Sequence, residues 1–360
     1  MRNKRIAELL LGILIFGVLI FGCSKAQEVP ANSHKAEAEE AEEEALAEMI
    51  DTDVPIEKGT RIAVVAKSTV GEFWDNIKQG MEDAVSGLNE AYGLEGDDKI
   101  TMTFEGPDNE GDLTDLINTV DAVLAENPTV LCLASGDEDA GQAQLETARD
   151  NGIPVILFDS LVEVDDDTLY AAYCGSDNRE MGRDAAGKLT EAMNGAGKVA
   201  VISHWKNDRT SIERTAGFKE ALADEAPQVE LAAELVMEED RDLSEQVAEL
   251  LEEVPDLNGI YCTNGDAAEA VLDALKDTEE HGIQVVGTDG TSRQIDAIEA
   301  GEELGAVSQD PYQMGFQTIC TAVRAAGEPQ SLTEKNIYID HAWLDAGNLE
   351  EEGSTSYIYG

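Results

Sequence analysis

From Arg61 onward, short runs of β-branched and aliphatic residues alternate with longer segments whose apolar positions recur every three or four residues. The short runs Arg61–Ala66, Lys99–Phe104, Thr129–Ala134, Val155–Asp159, Lys198–Ser203, Val229–Leu235, Gly259–Thr263 and Gln284–Thr288 predict strands, with a shorter one at Gly305-Ala306-Val307. Between them, Trp74, Ile77, Met81, Ala84, Val85 and Leu88 form one helical stripe, and Leu113, Leu116, Ile117, Val120, Val123 and Leu124 form another. Strand and amphipathic helix in alternation predict βα units and parallel sheets. The alternation runs on too long for one compact sheet, so the expected fold class is α/β with two doubly wound parallel-sheet lobes. A length of 360 residues agrees, being past the ~250–300 at which one core stops growing.

The N-terminal pattern differs. Arg2, Lys4 and Arg5 precede a continuous apolar run from Leu9 to Gly22, the pattern of a secretory signal. As a helix rising ~1.5 Å per residue the run reaches only ~21 Å, short of a ~30 Å hydrocarbon core, which favours a cleaved signal over a spanning helix. Its end, Leu19-Ile20-Phe21-Gly22-Cys23, resembles the lipobox of bacterial lipoproteins. That resemblance implies a signal peptide at 1–22, lipid on Cys23, and a chain anchored on the extracytoplasmic side of the cell membrane. Residues 23–59 then read as an acidic tether, because the run Glu37-Ala38-Glu39-Glu40-Ala41-Glu42-Glu43-Glu44 offers too little hydrophobic burial to offset ordering.

Charge narrows the partners. The chain carries 24 Lys and Arg against 76 Asp and Glu, a formal net charge of -52, and such a field repels a phosphate backbone, so no nucleic-acid partner is expected. The acidity suits either a salt-adapted surface or an exported protein kept soluble by repulsion. Cys132, Cys174, Cys262 and Cys320 have no C-x-x-C spacing and read as buried free thiols, although an exported protein leaves a disulfide open. His34, His204, His281 and His341 lie far apart, without metal-ligand spacing, and no glycine-rich phosphate loop occurs. The stretch Asp108-Asn109-Glu110-Gly111-Asp112 fails the EF-hand spacing and reads as a solvated loop opening a helix. Neither a catalytic set, nor a metal, nor a cofactor is expected.

Open parallel sheets bind ligands outside the carboxyl ends of their strands. Those positions here hold Lys67 through Trp74, Asp159, Ser203-His204-Trp205, Thr263-Asn264-Gly265-Asp266, Thr288-Asp289-Gly290 and Gln309-Asp310-Pro311. Carboxylates, amides and rings converge there. A sugar hydroxyl donates and accepts at once, and acceptor-only carboxylates, a donor-only guanidinium and bifunctional amides suit it.

Four strings, in order, then carry a family resemblance: Tyr173-Cys174-Gly175-Ser176-Asp177-Asn178, Arg214-Thr215-Ala216-Gly217-Phe218, Val285-Val286-Gly287-Thr288-Asp289-Gly290-Thr291, and Ser308-Gln309-Asp310-Pro311-Tyr312-Gln313-Met314-Gly315. From about residue 60 to 345 the chain resembles the ribose-binding-protein group of periplasmic sugar-binding proteins. The resemblance implies a type I periplasmic binding protein fold, with a three-strand hinge between lobes at 60–175 plus 310–330 and at 176–309 plus 331–347, followed by a tail at 348–360. It also implies capture of a monosaccharide by hinge closure and delivery to an ABC permease and ATPase, by a monomer that is not an enzyme. The alternative on the same fold is a sensory module presenting a sugar-like signal to a membrane receptor.

Residue by residue, Phe73 and Trp74 match the aromatic pair that packs on the sugar ring, and Asp159 matches a carboxylate accepting from hydroxyls. Arg214 matches the guanidinium from the opposite lobe, while Asn264, Asp289 and Gln309 complete the set. Departures fall at Gly71, at Ser160 and at Glu238-Glu239-Asp240-Arg241, the last replacing a cleft aromatic. Trp205 is the residue placed to supply that aromatic from the second lobe.

Overall fold

The computed structural model describes residues 46, 49–137, 141–238, 241–276 and 282–360. The signal at 1–22, Cys23, tether residues 24–45, Glu239, Asp240 and His281 lie outside the described residues.

In the first lobe the chain runs β1 (Arg61–Val65), α1 (Glu72–Tyr92), β2 (Thr101–Glu105), α2 (Leu113–Ala125), β3 (Val130–Leu133), α3 (Gln142–Asp150), β4 (Val155–Phe158) and β5 (Ala172–Ser176). It then crosses to α4 (Asn178–Ala192), β6 (Gly197–Ser203), α5 (Arg209–Glu225), β7 (Val229–Val236), α6 (Leu243–Glu253), β8 (Gly259–Cys262), α7 (Gly265–Leu275), β9 (Gln284–Thr288), α8 (Ser292–Ala300) and β10 (Gly305–Gln309). It returns through α9 (Pro311–Gly327) and β11 (Asn336–Ile339), and crosses once more to β12 (His341–Leu344). The two sheets have the orders β2-β1-β3-β4-β5-β11 and β7-β6-β8-β9-β10-β12, one pattern used twice. All pairings are parallel except β10 with β12. This is the two-lobed, doubly wound α/β fold expected from the sequence.

Helices cover both faces of each sheet, which is why the inner strands read as unbroken apolar runs: Val130–Leu133 and Val155–Phe158 are buried at every residue. In the first lobe, one face packs Ile62, Val64, Cys132, Ile156 and Phe158 under α1 and α9. The other packs Val65, Leu131, Leu133 and Leu157 under α2 and α3. The second lobe repeats this, with α4 and α5 over Val199, Val201 and Tyr261, and α6 and α7 over Ile202, Ile260 and Cys262. The four cysteines are buried free thiols.

The hinge differs from expectation at one crossing. The chain passes between the lobes at Ser176 to Asn178 and at Gln309 to Pro311. The third lies between Ile339 and His341, so the boundary at 330/331 is corrected. Asn336–Ile339 pairs parallel with β5 and buries Ile339 in the first lobe. Two ends of the described chain also dock on the lobes. Ile50 and Val54 are buried on the first lobe, with the Tyr92 hydroxyl donating to the Asp51 and Val54 carbonyls, so the tether reading does not extend over 50–59. The tail at 348–360 packs on the second lobe: Tyr357 and Ile358 lie against Ile298, Ala306 and Leu344, and Tyr359 is buried.

Candidate functional site

Both sheets point the carboxyl ends of their strands at the space between the lobes, and a cavity of ≈ 360 Å³ lies there. Ligand pockets generally span ~300–1,000 Å³, so this one fits a small molecule. All eight residues singled out from the sequence, Phe73, Trp74, Asp159, Trp205, Arg214, Asn264, Asp289 and Gln309, stand on its wall. Lys67, Glu110, His204 and Asp208 join them.

Two of the cavity carboxylates, Asp159 and Asp289, occupy equivalent places. Asp159 directly follows β4 and Asp289 directly follows β9, the corresponding strands of the two sheets. Both have positive φ, 57° and 82°, a conformation that side chains other than glycine adopt at a cost of ~1–3 kcal/mol and that clusters at functional sites. Asp289 Oδ1 accepts from Gln309 Nε2 at 3.0 Å, and its Oδ2 accepts from the Gly265 N–H at 3.0 Å. Gln309 Oε1 in turn accepts from the Ser176 hydroxyl at 3.0 Å. Ser176 and Gln309 end the equivalent strands β5 and β10, so this bond ties two hinge crossings together. Asn264 caps α7, its side-chain oxygen accepting from Ala267 N–H at 3.1 Å, which leaves its amide NH2 and one lone pair of that oxygen for the cavity.

Arg214 reaches the cavity from α5 and is 2% exposed. Its Nε donates to Asn178 Oδ1 at 2.8 Å, and Nη1 donates to the Thr263 carbonyl at 2.7 Å. Five N–H donors less these two leave three that a ligand could use. Burial alone lowers the guanidinium pKa, but Asp289, Tyr261 and Asp159 outweigh it and the net direction is up. Helix α5 is held against α4 by Gly217 and Gly182: a Cβ on Gly217 would stand 1.9 Å from the Arg179 carbonyl oxygen, and one on Gly182 2.0 Å from that of Arg214.

Phe73 and Trp74 meet edge to face at 5.1 Å. Trp74 is mainly a core residue, 3% exposed against Ile77 and Phe158, as its helical stripe suggested. Its indole N–H donates to Glu110 Oε1 at 2.7 Å. From the second lobe, Trp205 packs on His204 with centroids 4.2 Å apart and lies under Gly111 of the first lobe, its own indole N–H without a protein partner. His204 Nδ1 pairs with Asp266 at 2.8 Å.

Sequence reasoning missed the ion cluster at the centre. Lys67 Nζ lies 2.9 Å from Asp159 and 3.0 Å from Asp208, all three buried, so one ammonium joins a first-lobe to a second-lobe carboxylate. Burial opposes the charge on Lys67, yet Asp159, Asp208 and Glu110 hold its pKa above the ordinary lysine value. For Asp208, burial pushes up, but Lys67 and the donors Thr210 and Ser211 bring it well below the usual carboxylate range. Glu110 was read as part of a solvated loop. Asp108 and Asn109 are exposed and Asp112 caps α2, but Glu110 turns into the cavity, where burial first and then Asp266 and Asp159 push its carboxyl up to about 7 against the pull of Lys67. The available signal was position: Lys67 and Asp208 both follow strands that end at the cleft.

The departures resolve locally. Gly71 has φ 114°, which requires glycine there. Ser160 turns away to donate to the Ser135 carbonyl, and Glu238 and Arg241 do not reach the cavity wall.

A sequence profile described as periplasmic binding protein domain matches residues 62–329. The chain belongs to this family. Among curated members, it is 26% identical over 260 residues to the D-allose-binding periplasmic protein of Escherichia coli K12, covering 70% of this chain and 80% of that protein. To the ribose import binding protein of the same organism it is 24% identical over 262 residues, covering 72% and 83%. Among solved structures of similar fold, an ABC transporter solute-binding protein of Agrobacterium vitis with bound D-fucose has a TM-score of 0.73 at 24% identity, covering 83% of this chain and 100% of that one. A sugar-binding protein of a sugar ABC transporter from Bacillus halodurans has a TM-score of 0.68 at 25% identity, covering 81% and 99%. As a periplasmic binding protein, this chain sets its cavity between its two lobes.

Proposed function

We propose that this chain captures a monosaccharide, a pentose, hexose or close relative, in the interlobe cavity and delivers it to an ABC importer. The observation that carries the reading is the donor and acceptor set on one small cavity. Asp159 and Asp289 supply acceptors from opposite lobes, Arg214 supplies only donors, and Phe73 and Trp205 supply flat apolar faces for sugar C–H groups. Relatives named for allose and ribose binding, and a fold neighbour holding D-fucose, support it. Binding residues drawn from both lobes make closure the mechanism: a ligand that bonds both halves favours the closed form, which the permease recognises. Closing also dries the site, so each sugar hydroxyl left unmatched costs ~1–3 kcal/mol, and near relatives are rejected. The protein acts as a binding monomer without catalysis of its own. Among the described residues no helix is long and apolar enough to cross a membrane, and lipid on Cys23 would supply the anchor.

Titration with D-ribose, D-allose, D-arabinose, D-fucose, D-galactose and D-glucose, followed by melting temperature and tryptophan fluorescence, tests the cargo. A bound sugar raises the melting point by mass action, and closure around Trp205 and Trp74 changes their emission. Silence across pentoses and hexoses would refute the monosaccharide reading. Cys23→Ser tests the anchor, with protein expected to leave the membrane fraction.

A further inference from the structure

The segment after β12 returns to the cleft. Glu352–Tyr357 forms a short 3-10 turn, and the Ser308 hydroxyl donates to the Tyr357 carbonyl at 2.6 Å. Tyr359 is then held from both lobes: its N–H donates to the Gly290 carbonyl at 2.9 Å, and Asn76 Nδ2, from α1 of the first lobe, donates to its carbonyl at 2.8 Å. Its side chain is 6% exposed. The ring lies 5.6 Å from that of Phe73, behind the cavity's aromatic wall. Its hydroxyl accepts from the Gln309 N–H at 3.2 Å and donates to Asp289 Oδ1 at 3.3 Å.

We propose that Tyr359 is a positioning residue that sets sugar specificity by fixing Asp289 and by limiting which of its lone pairs a ligand can use. A carboxylate offers about four acceptor positions. On Asp289, Oδ1 takes Gln309 and Tyr359 and Oδ2 takes Gly265, so one position on Oδ2 remains. A ligand hydroxyl must approach along that single direction. One directed acceptor distinguishes an equatorial from an axial hydroxyl; a carboxylate with two open positions accepts either. The Tyr359 ring also buttresses Phe73, so both walls of that corner depend on a segment outside the two sheets. Because Asn76 and Gly290 belong to different lobes, the anchoring is complete only in the closed arrangement.

The inference rests on the monosaccharide reading, and the test separates the two. Parent, Tyr359→Phe and Asn76→Ala proteins are titrated calorimetrically with three epimer pairs: D-ribose and D-arabinose, D-glucose and D-allose, D-glucose and D-galactose. Tyr359→Phe keeps the ring and frees one position on Oδ1. Its affinity for the best sugar should fall ~3- to 10-fold while the preference within at least one epimer pair narrows by a similar factor. Asn76→Ala, which loosens the anchor without touching the cavity, should narrow the same pair to a smaller degree. Equal losses for every sugar in both variants, tracking their melting temperatures, would mean a merely structural role and overturn the inference, as would unchanged affinities. A parent protein that binds none of these sugars would overturn the monosaccharide reading itself.

Discussion

Replacing Lys67 by Met keeps the length and apolar body of the side chain and removes the one charge that separates Asp159 from Asp208. Both carboxylates lie about 3 Å from Nζ and all three groups are buried. At an effective dielectric of ~20, each contact represents ~5 kcal/mol of attraction, most of it spent on desolvation. Losing one partner of such a buried set costs ~3–5 kcal/mol, because the remaining charges are left uncompensated. Here there is an escape: Asp208 belongs to the second lobe, so opening the cleft hydrates it. The closed form should therefore lose two to three orders of magnitude relative to the open form, at ~1.4 kcal/mol per factor of ten. Where opening relieves the strain only partly, the melting temperature should fall by ~2–4 °C per kcal/mol in lobes of this size.

The assay is small-angle scattering and thermal melting of parent and Lys67→Met proteins at pH 7.5 and 5. Lys67 and Asp208 both stay charged throughout this range. Asp208, held below its usual pKa, gives stability that is present above about pH 4 and lost only in stronger acid, and Lys67, held above its own, loses its contribution only in strong base. In Lys67→Met the sign reverses. Two carboxylates facing each other without the ammonium share a proton more readily, so lowering the pH should restore closure. A second substitution, Asp208→Asn, should recover much of the loss at pH 7.5. A variant whose scattering overlays the parent at pH 7.5 and melts within ~2 °C of it would refute this account of the cluster.

Glu303 is 2% exposed, with one oxygen unpartnered and, because of burial, a carboxyl pushed up to about 8. Stability tied to its proton is complete below the unfolded pKa near 4.5 and is lost as pH rises through about 8. Parent melting temperature should therefore drop between pH 5 and 8.5 by the equivalent of a few kcal/mol, on the order of 1.4 per pH unit, and Glu303→Gln should flatten the slope in a melting series; an equally steep slope would refute the assignment. Arg214→Lys cannot keep the bonds to Asn178 and Thr263 while presenting a fork to the cavity. Sugar affinity should fall ~100-fold by calorimetry, and affinity within threefold of the parent would exclude Arg214 as a donor. Gly217→Ala puts a methyl 1.9 Å from the Arg179 carbonyl. It should cost ~1–3 kcal/mol in chemical denaturation and weaken sugar binding by shifting Arg214, whereas wild-type stability would mean that α4 and α5 separate freely.

Much of this architecture was legible because its signals are local. Strand runs such as Val155-Ile156-Leu157-Phe158 are apolar at every position since both sheet faces are covered, and α1 shows its buried stripe because only one side of it meets the core. The cavity positions were legible because strand ends face the cleft, a rule of topology more than of residue type. What escaped depended on contacts far apart in sequence. β11 is half exposed and gains its identity only by pairing with β5, so its lobe could not be read from 331–340 alone. Lys67 meets Asp208 across 141 positions, and Tyr359 meets Asp289 across 70. Glu110 sits in a run of acids that is solvated on either side of it, and nothing local marks the one that turns inward.

The repeated sheet order explains why the cavity residues are paired yet unequal. Corresponding strand ends carry Asp159 and Asp289 in the same uncommon backbone state, and Ser176 and Gln309 bonded to each other. The scaffold therefore offers each lobe the same place for a carboxylate. The two are then tuned apart. Asp159 is neutralised by an ammonium that also grips the opposite lobe, so its availability to a ligand is linked to closure. Asp289 is held by the neutral donors Gln309 and Gly265, with Arg214 of its own lobe nearby, so this part of its setting does not depend on the first lobe. A sugar meeting the open protein would thus find Asp289 and Arg214 already assembled on the second lobe, and would gain Asp159 and Phe73 only as the first lobe closes. Binding should then begin on the second lobe, an order that follows from which carboxylate needs the other half of the molecule.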